Sequence, residues 1–289
     1  MIGKYVVEYL STHHHEPICT DIVSEENRGD IVDREFVFGV LSRLEFDAIV
    51  HLAGVTDLRK TVENPHLCYE VNCFGTLNML ELAARKGVRR FLYASSANVY
   101  GVPSRNPVEE DAPLRPRVPY DYSKTIGEAL ARSYFETKKL PIAITRSWLL
   151  FGENDLPNRA VPRFINACLR NEPINLFNSG RDTTAPSHAV NYARLVTRIL
   201  DSEASIGEAF NFGGDKAVSI RELAEVIKRL TNSSSQLVML PPRSEQEKEP
   251  QISYPRVDKM KKLLGYTYEL SLEEGLTRTI GSYRRSLAR

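Results

Sequence analysis

Short apolar runs alternate along this chain with stretches whose apolar residues recur at helical spacing, and this alternation restricts the fold most. Asp47-Ala48-Ile49-Val50-His51-Leu52, Phe91-Leu92-Tyr93-Ala94 and Pro141-Ile142-Ala143-Ile144-Thr145 read as strands. Pro17-Ile18-Cys19-Thr20 reads as another, ending at Asp21. Ile2 to Leu10, Arg34 to Leu44 and His66 to Lys86 read as helices, the last stopped by Gly87. Strands joined through helices pair in parallel and need cover on both faces. The expected fold is therefore α/β, a doubly wound parallel sheet. Beyond about Phe151 the rhythm changes. Val161 to Arg170 and Ala189 to Leu200 read as helices, Ile174 to Phe177 and Ala209 to Phe212 as short strands. Ser219-Ile220-Arg221-Glu222 and Ser271-Leu272-Glu273-Glu274 have capping-box spacing. Residues 1–149 are expected to build the sheet domain, and 150–289 a smaller mixed α/β lobe.

The stretch from Arg90 to Lys124 carries the chemistry. Its strand runs into Ser95-Ser96-Ala97-Asn98-Val99-Tyr100-Gly101, and Pro119-Tyr120-Asp121-Tyr122-Ser123-Lys124 follows. Pro119 suits the first position of a helix, which puts Tyr120 and Lys124 one turn apart on one face. Ser96 stands at the mouth of the preceding strand. A hydroxyl, a phenol and an ammonium can thus meet at the carboxyl edge of a sheet. A free Tyr has a pKa of about 10, too high for a base at neutral pH. A nearby Lys cation favours phenolate. Lowering that pKa by roughly 3 units requires about 4 kcal/mol of differential interaction. No side chain accepts a hydride, so a redox role needs a cofactor.

Composition narrows the partners. The 289 residues are 42% hydrophobic and 26% charged with a formal net charge of +1. That balance gives no electrostatic argument for nucleic acid. No apolar run approaches a membrane span, and the N-terminus has no signal-peptide core. Cys19, Cys68, Cys73 and Cys168 are scattered, as expected of reduced thiols in a cytoplasmic protein. His13-His14-His15 reads as a solvated turn, and no metal site is expected.

Taken together, the motifs resemble the extended short-chain dehydrogenase/reductase family of sugar-nucleotide epimerases and dehydratases. The resemblance runs nearly end to end. It rests on His51-Leu52-Ala53-Gly54, Asn72 in Val-Asn-Cys-Phe-Gly75-Thr76, Ser95 to Gly101, Tyr120 to Lys124, Arg146 to Gly152, Val161-Pro162-Arg163-Phe164, Ser219 to Leu223 and Leu263-Leu264-Gly265-Tyr266. It implies a Rossmann-type sheet, bound NAD, a nucleotide-sugar substrate and a homodimer pairing the His66–Lys86 helix with the helix after Tyr120. By resemblance Tyr120 is the base, Lys124 lowers its pKa and holds the nicotinamide ribose, and Ser96 binds the substrate oxygen. Gly3, Asp21, Asp30, Ile31, Leu52, Ala53, Gly54 and Asn72 would complete the NAD site. Asn98, Arg163 and Arg181 would join Ser96 at the substrate, with Arg243, Lys248 and Arg256 as further cations. An Asp21 carboxylate binds ribose hydroxyls and repels a 2′-phosphate, which favours NAD over NADP.

Four departures modify this expectation. Dehydratases of the family carry an Asp-Glu pair where this chain has Ala97-Asn98, which leaves no carboxylate for removing water. Met1-Ile2-Gly3-Lys4 matches only the end of the family's glycine-rich motif, so the first strand is expected to lie upstream or cofactor binding to be weakened. Leu149 replaces an Asn near the substrate diphosphate, and Thr184-Ala185 replaces an Arg-Asp. The leading expectation is a 4-epimerase of a nucleoside-diphosphate sugar. The alternatives are a dehydrogenase or reductase of a small hydroxyl or keto substrate, and a non-catalytic binding protein.

Overall fold

The computed structural model describes residues 1–23, 27–242 and 248–287. Helix α1 (Ile2–Ser11) opens the chain, and a helical stretch, π over Phe36–Val40 and 3-10 over Leu41–Arg43, precedes strand β1 (Ala48–His51). The crossover from β1 to β2 (Arg90–Ser96) runs through α2 (Leu58–Glu63), α3 (Pro65–Tyr69), a π-helical turn at Glu70–Gly75 and α4 (Thr76–Lys86). Gly87 ends α4 at φ 63°, a left-handed conformation that glycine adopts without a Cβ clash. Next come α5 (Pro119–Lys138), β3 (Ile142–Ser147), β4 (Leu150–Phe151) and α6 (Ala160–Leu169). Strands β5 (Ile174–Phe177), β6 (Thr183–Thr184) and β7 (Ser187–His188) lead to α7 (Ala189–Asp201). The remainder is β8 (Ala209–Phe212), β9 (Val218–Ser219), α8 (Ile220–Thr231), β10 (Leu237–Leu240), α9 (Asp258–Leu264) and α10 (Leu272–Leu287).

Four of these strands form the main sheet in the order β1-β2-β3-β8, all parallel. Both faces are apolar, as a covered parallel sheet requires. Phe91, Tyr93, Ile142 and Ile144 pack with Met79, Leu80, Leu82 and Ala83 of α4 on one side. Leu92, Ala143, Phe210 and Phe212 pack on the other with Val6 and Leu10 of α1, and with α7 and α9. The chain beyond residue 150 thus supplies the fourth strand as well as the second lobe. In that lobe α6, α8 and α10 bury Phe164, Ile165, Leu223, Ile227 and Leu276 around the parallel β5–β10 pair. Both capping boxes form: Ser219 and Glu222, and Ser271 and Glu274, exchange side-chain and backbone hydrogen bonds.

One expected strand is absent. Pro17 to Thr20 is irregular, and its neighbour Asp21 makes only an isolated bridge to Arg28. Ile18, Ile22 and Val23 are exposed. A strand forms only against a partner, and among the described residues this segment has none. β1 pairs with β2 alone and so lies at the edge of the sheet. A cavity of about 2480 Å³ runs along that edge, between Val6 and Leu10 of α1 and Leu41, Met79 and Leu82 opposite. It opens at the carboxyl ends of β1 and β2. Arg243, one of the expected cations, lies outside the described residues.

Candidate active site

Residues at the start of α5 and the ends of β1 and β2 face this opening. Val118 is extended, Pro119 occupies the first helical position, and the Asp121 carboxylate accepts from the Arg117 and Val118 amides at 3.0 and 3.2 Å. This cap fixes the first turn, where Tyr120 is 9% exposed. One turn later the Lys124 ammonium donates to the Ala94 carbonyl at 2.9 Å, tying α5 to the end of β2. Ser96 closes β2, its Oγ accepting from the Asn98 amide at 3.2 Å. Ser96, Asn98, Tyr120 and Lys124 all line the cavity.

The opposite wall is the turn after β1. A Cβ on Gly54 would stand 2.9 Å from Asn72 Oδ1 and 3.5 Å from Lys124 Nζ. Glycine is therefore required for this backbone to lie against the lysine. Asn72 itself is buried: its Oδ1 accepts from Val55 N at 2.7 Å, and its amide nitrogen donates to Val55 O at 3.0 Å and Ser123 Oγ at 2.9 Å. It holds the turn against α5 from behind, rather than facing a ligand as expected. Gly3, Asp21, Asp30, Ile31, Leu52 and Ala53 line the cavity. Gly3 sits in the first turn of α1, where backbone N–H groups suit a phosphate.

Two expected substrate cations stand elsewhere. Arg163 borders a separate hollow with Phe164, Glu172 and Ile174. Arg181 is committed to Asn178 Oδ1 at 2.6 Å and the Lys248 carbonyl at 3.0 Å. Arg163 is exposed on α6 between the buried Pro162 and Phe164, and Arg181 is taken up by local hydrogen bonds. Arg159, which sequence reading passed over, occupies the place they were expected to fill. It stands just ahead of α6, lines the cavity, donates to Thr56 Oγ1 at 3.3 Å and lies 3.6 Å from Asp155. Its only signal in the chain is a cation directly ahead of the helix that begins Ala160-Val161-Pro162.

Electrostatics separate the three central groups. Burial raises the Tyr120 phenol above its ordinary pKa, while a hydrogen bond from Ser96 and the Arg159 charge oppose that rise. Burial lowers Lys124 to about 8. Its Nζ is 6.0 Å from the centre of the Tyr120 ring, and the Arg159 charge is the cation whose field lowers the phenol. Beside them His51 is buried and neutral, lowered to about 3 by desolvation and by the Lys124 charge. Thr76 gives its proton to Asn72 O at 2.7 Å, so His51 Nε2, 2.9 Å away, is the donor to Thr76. The arrangement can exchange a proton at Tyr120 and hold a substrate oxygen at Ser96.

The model for the NAD dependent epimerase/dehydratase family matches residues 1–213. A UDP-glucuronic acid decarboxylase 1 of Danio rerio is 34% identical over 84% of this chain, which spans 59% of that protein's length. A putative UDP-glucose 4-epimerase of Methanocaldococcus jannaschii is 28% identical over 96% of this chain and 94% of its own. A dTDP-glucose 4,6-dehydratase of Streptomyces venezuelae, solved with NAD bound, superposes with a TM-score of 0.88 at 26% identity, over 99% of this chain and 95% of that one. The parallel sheet and these similarities agree: the chain belongs to the NAD dependent epimerase/dehydratase family.

Proposed function

We propose that this chain is an NAD-dependent epimerase of a nucleoside-diphosphate sugar, acting by transient oxidation at a sugar hydroxyl. The observation that carries this reading is the convergence of Ser96, Tyr120 and Lys124 with Ala97-Asn98 beside them. It supplies a base and an oxygen-binding hydroxyl but no carboxylate at the two positions after Ser96 for expelling water. Gly54 leaves a cradle that a Cβ would fill, and Gly3 faces the cavity from the first turn of α1. These residues fit a dinucleotide. NAD, when bound, supplies reversible hydride acceptance.

The protein's own part is proton transfer and positioning. Ser96 Oγ holds the sugar oxygen, and Tyr120 Oη takes the hydroxyl proton. The Arg159 charge and the Lys124 ammonium favour the phenolate that this requires. Returning the proton after the sugar has turned over completes epimerisation with no net change in the cofactor. Of the substrate residues, Ser96, Asn98 and Arg159 support binding at the mouth.

Leu67, Phe74, Tyr122 and Ile126 are exposed on the surface formed by α3, the π turn and α5. Such a patch supports a homodimer through these helices. Among the described residues no helix is long and apolar enough to cross a membrane, and we place the enzyme in the cytoplasm on its buried thiols Cys68, Cys73 and Cys168.

The test is product analysis with UDP- and dTDP-sugars. Epimer formed without accumulation of NADH supports the reading. Net NADH points to a dehydrogenase, and release of carbon dioxide from a uronic-acid substrate to a decarboxylase; either outcome overturns it.

A further inference from the structure

Directly behind the cleft lies an ion pair with almost no access to water. Arg146 on β3 and Glu128 on α5 are 3% and 1% exposed at their side chains. The contact is two-pronged: Arg146 Nε reaches Glu128 Oε1 at 2.9 Å and Nη2 reaches Oε2 at 2.7 Å. The remaining donor, Nη1, serves the Tyr100 hydroxyl at 2.7 Å and the Glu110 carbonyl at 2.8 Å. Tyr100 passes its own proton to Asn211 Oδ1 on β8 at 2.8 Å. Ser95 donates to Glu128 Oε1 at 2.6 Å.

Stability is a poor explanation for such a pair, because well-packed apolar residues often replace a buried ion pair without loss. Its placement is more informative. Glu128 is one helical turn beyond Lys124 on α5, and Ser95 is the neighbour of Ser96 on β2. A single carboxylate therefore grips both the strand end that carries the hydroxyl and the helix that carries the phenol and ammonium. The two-pronged guanidinium contact fixes its direction as well as its distance.

We propose that Glu128 and Arg146 form a positioning unit that sets the height and rotation of α5 against β2, and so the approach of Tyr120 to Ser96. The proposal rests on the assignment of Tyr120 as the base. It predicts that turnover depends on the pair although neither residue faces the cavity.

Two variants of the full-length protein test it. Glu128→Gln keeps the shape and removes the charge. Glu128→Met/Arg146→Met replaces the whole pair with apolar side chains. Thermal melting and NAD titration establish folding and the cofactor site. The expected result for the double variant is a cooperative melt, unchanged NAD affinity and unchanged KM, with kcat lower by about 10²-fold. The acid-side fall of kcat, set by Tyr120 as a base, moves to higher pH as the phenol loses its alignment with Ser96. Glu128→Gln shows the same changes to a smaller degree. A folded double variant with the parent kcat and pH profile overturns the proposal. So does failure of both variants to fold, which would make the pair structural. Tyr120→Phe is measured alongside. If it retains turnover, the base assignment fails. If it is inactive while the double variant is not, only the positioning unit fails.

Discussion

The two ends of the cleft are built differently. At the β2–α5 end, a capped helix, a strand paired on both sides and a buried ion pair hold Ser96, Tyr120 and Lys124 from several directions. At the other end, residues 15–23 and 27–33 are turns and irregular chain, with Ile22 and Val23 exposed. The difference is one of strand pairing. β2 has a neighbour on each side, whereas β1 has one, and the segment that reads as a strand at Pro17 has none. A reaction centre can be held to a fraction of an ångström only where its supports are themselves packed. The β2–α5 end meets that condition, whereas the end beside β1 has fewer packed supports among the described residues.

The largest effect that would break this contrast is at Tyr120. Tyr120→Phe is expected to lower turnover by about 10²–10⁴-fold, with NAD affinity unchanged in a calorimetric titration. Retained turnover would move the chemistry away from the well-packed end.

His51 probes the joint between the two ends. Its pKa is about 3 in the folded protein, against 6.5 for a free imidazole. The unfolded chain therefore binds the proton first as pH falls, so stability is full above pH 6.5 and declines toward pH 3. The slope contributed by this residue is at most about 1.4 kcal/mol per pH unit. Urea unfolding at a series of pH values is expected to show it, and His51→Gln to flatten it. An unchanged slope in that variant would assign the acid sensitivity elsewhere.

The two glycines sharpen the comparison further. Gly54→Ala places a Cβ 2.9 Å from Asn72 Oδ1, and is expected to cost about 1–3 kcal/mol in urea unfolding and to weaken NAD binding. Gly3→Ala meets only Leu52, at 4.0 Å, and is expected to stabilise α1 by about 0.5–1 kcal/mol. If the two substitutions cost the same, the difference in packing inferred for the two ends is wrong. Finally, hydrogen exchange is expected to be faster along β1 than along β2, since edge strands open locally at lower cost.

Much of this was legible in the chain. The 3.6-residue pattern of Ile2 to Leu10, the two capping boxes, Gly87 as a helix stop and Pro119 ahead of Tyr120 are local signals, carried by a few neighbouring residues. So is the spacing that puts Tyr120 and Lys124 on one face. What failed was Pro17 to Thr20, whose strand-like composition says nothing of whether a neighbouring strand pairs with it. Arg163 and Arg181 failed for a related reason: the direction of a long side chain is set by what packs beneath it.

By itself, then, the sequence determined the alternation of strands and helices, the family and the cofactor class, because each is encoded in short-range pattern and residue chemistry. Tertiary structure alone decided that the Arg159 charge acts on the phenol, that Asn72 braces the Gly54 turn from behind, and that Glu128 meets Arg146 behind the site. Those interactions join residues 17 to 51 positions apart. Only the crossing of α5 over the sheet brings them within reach, and that crossing follows from burying both faces of the sheet at once.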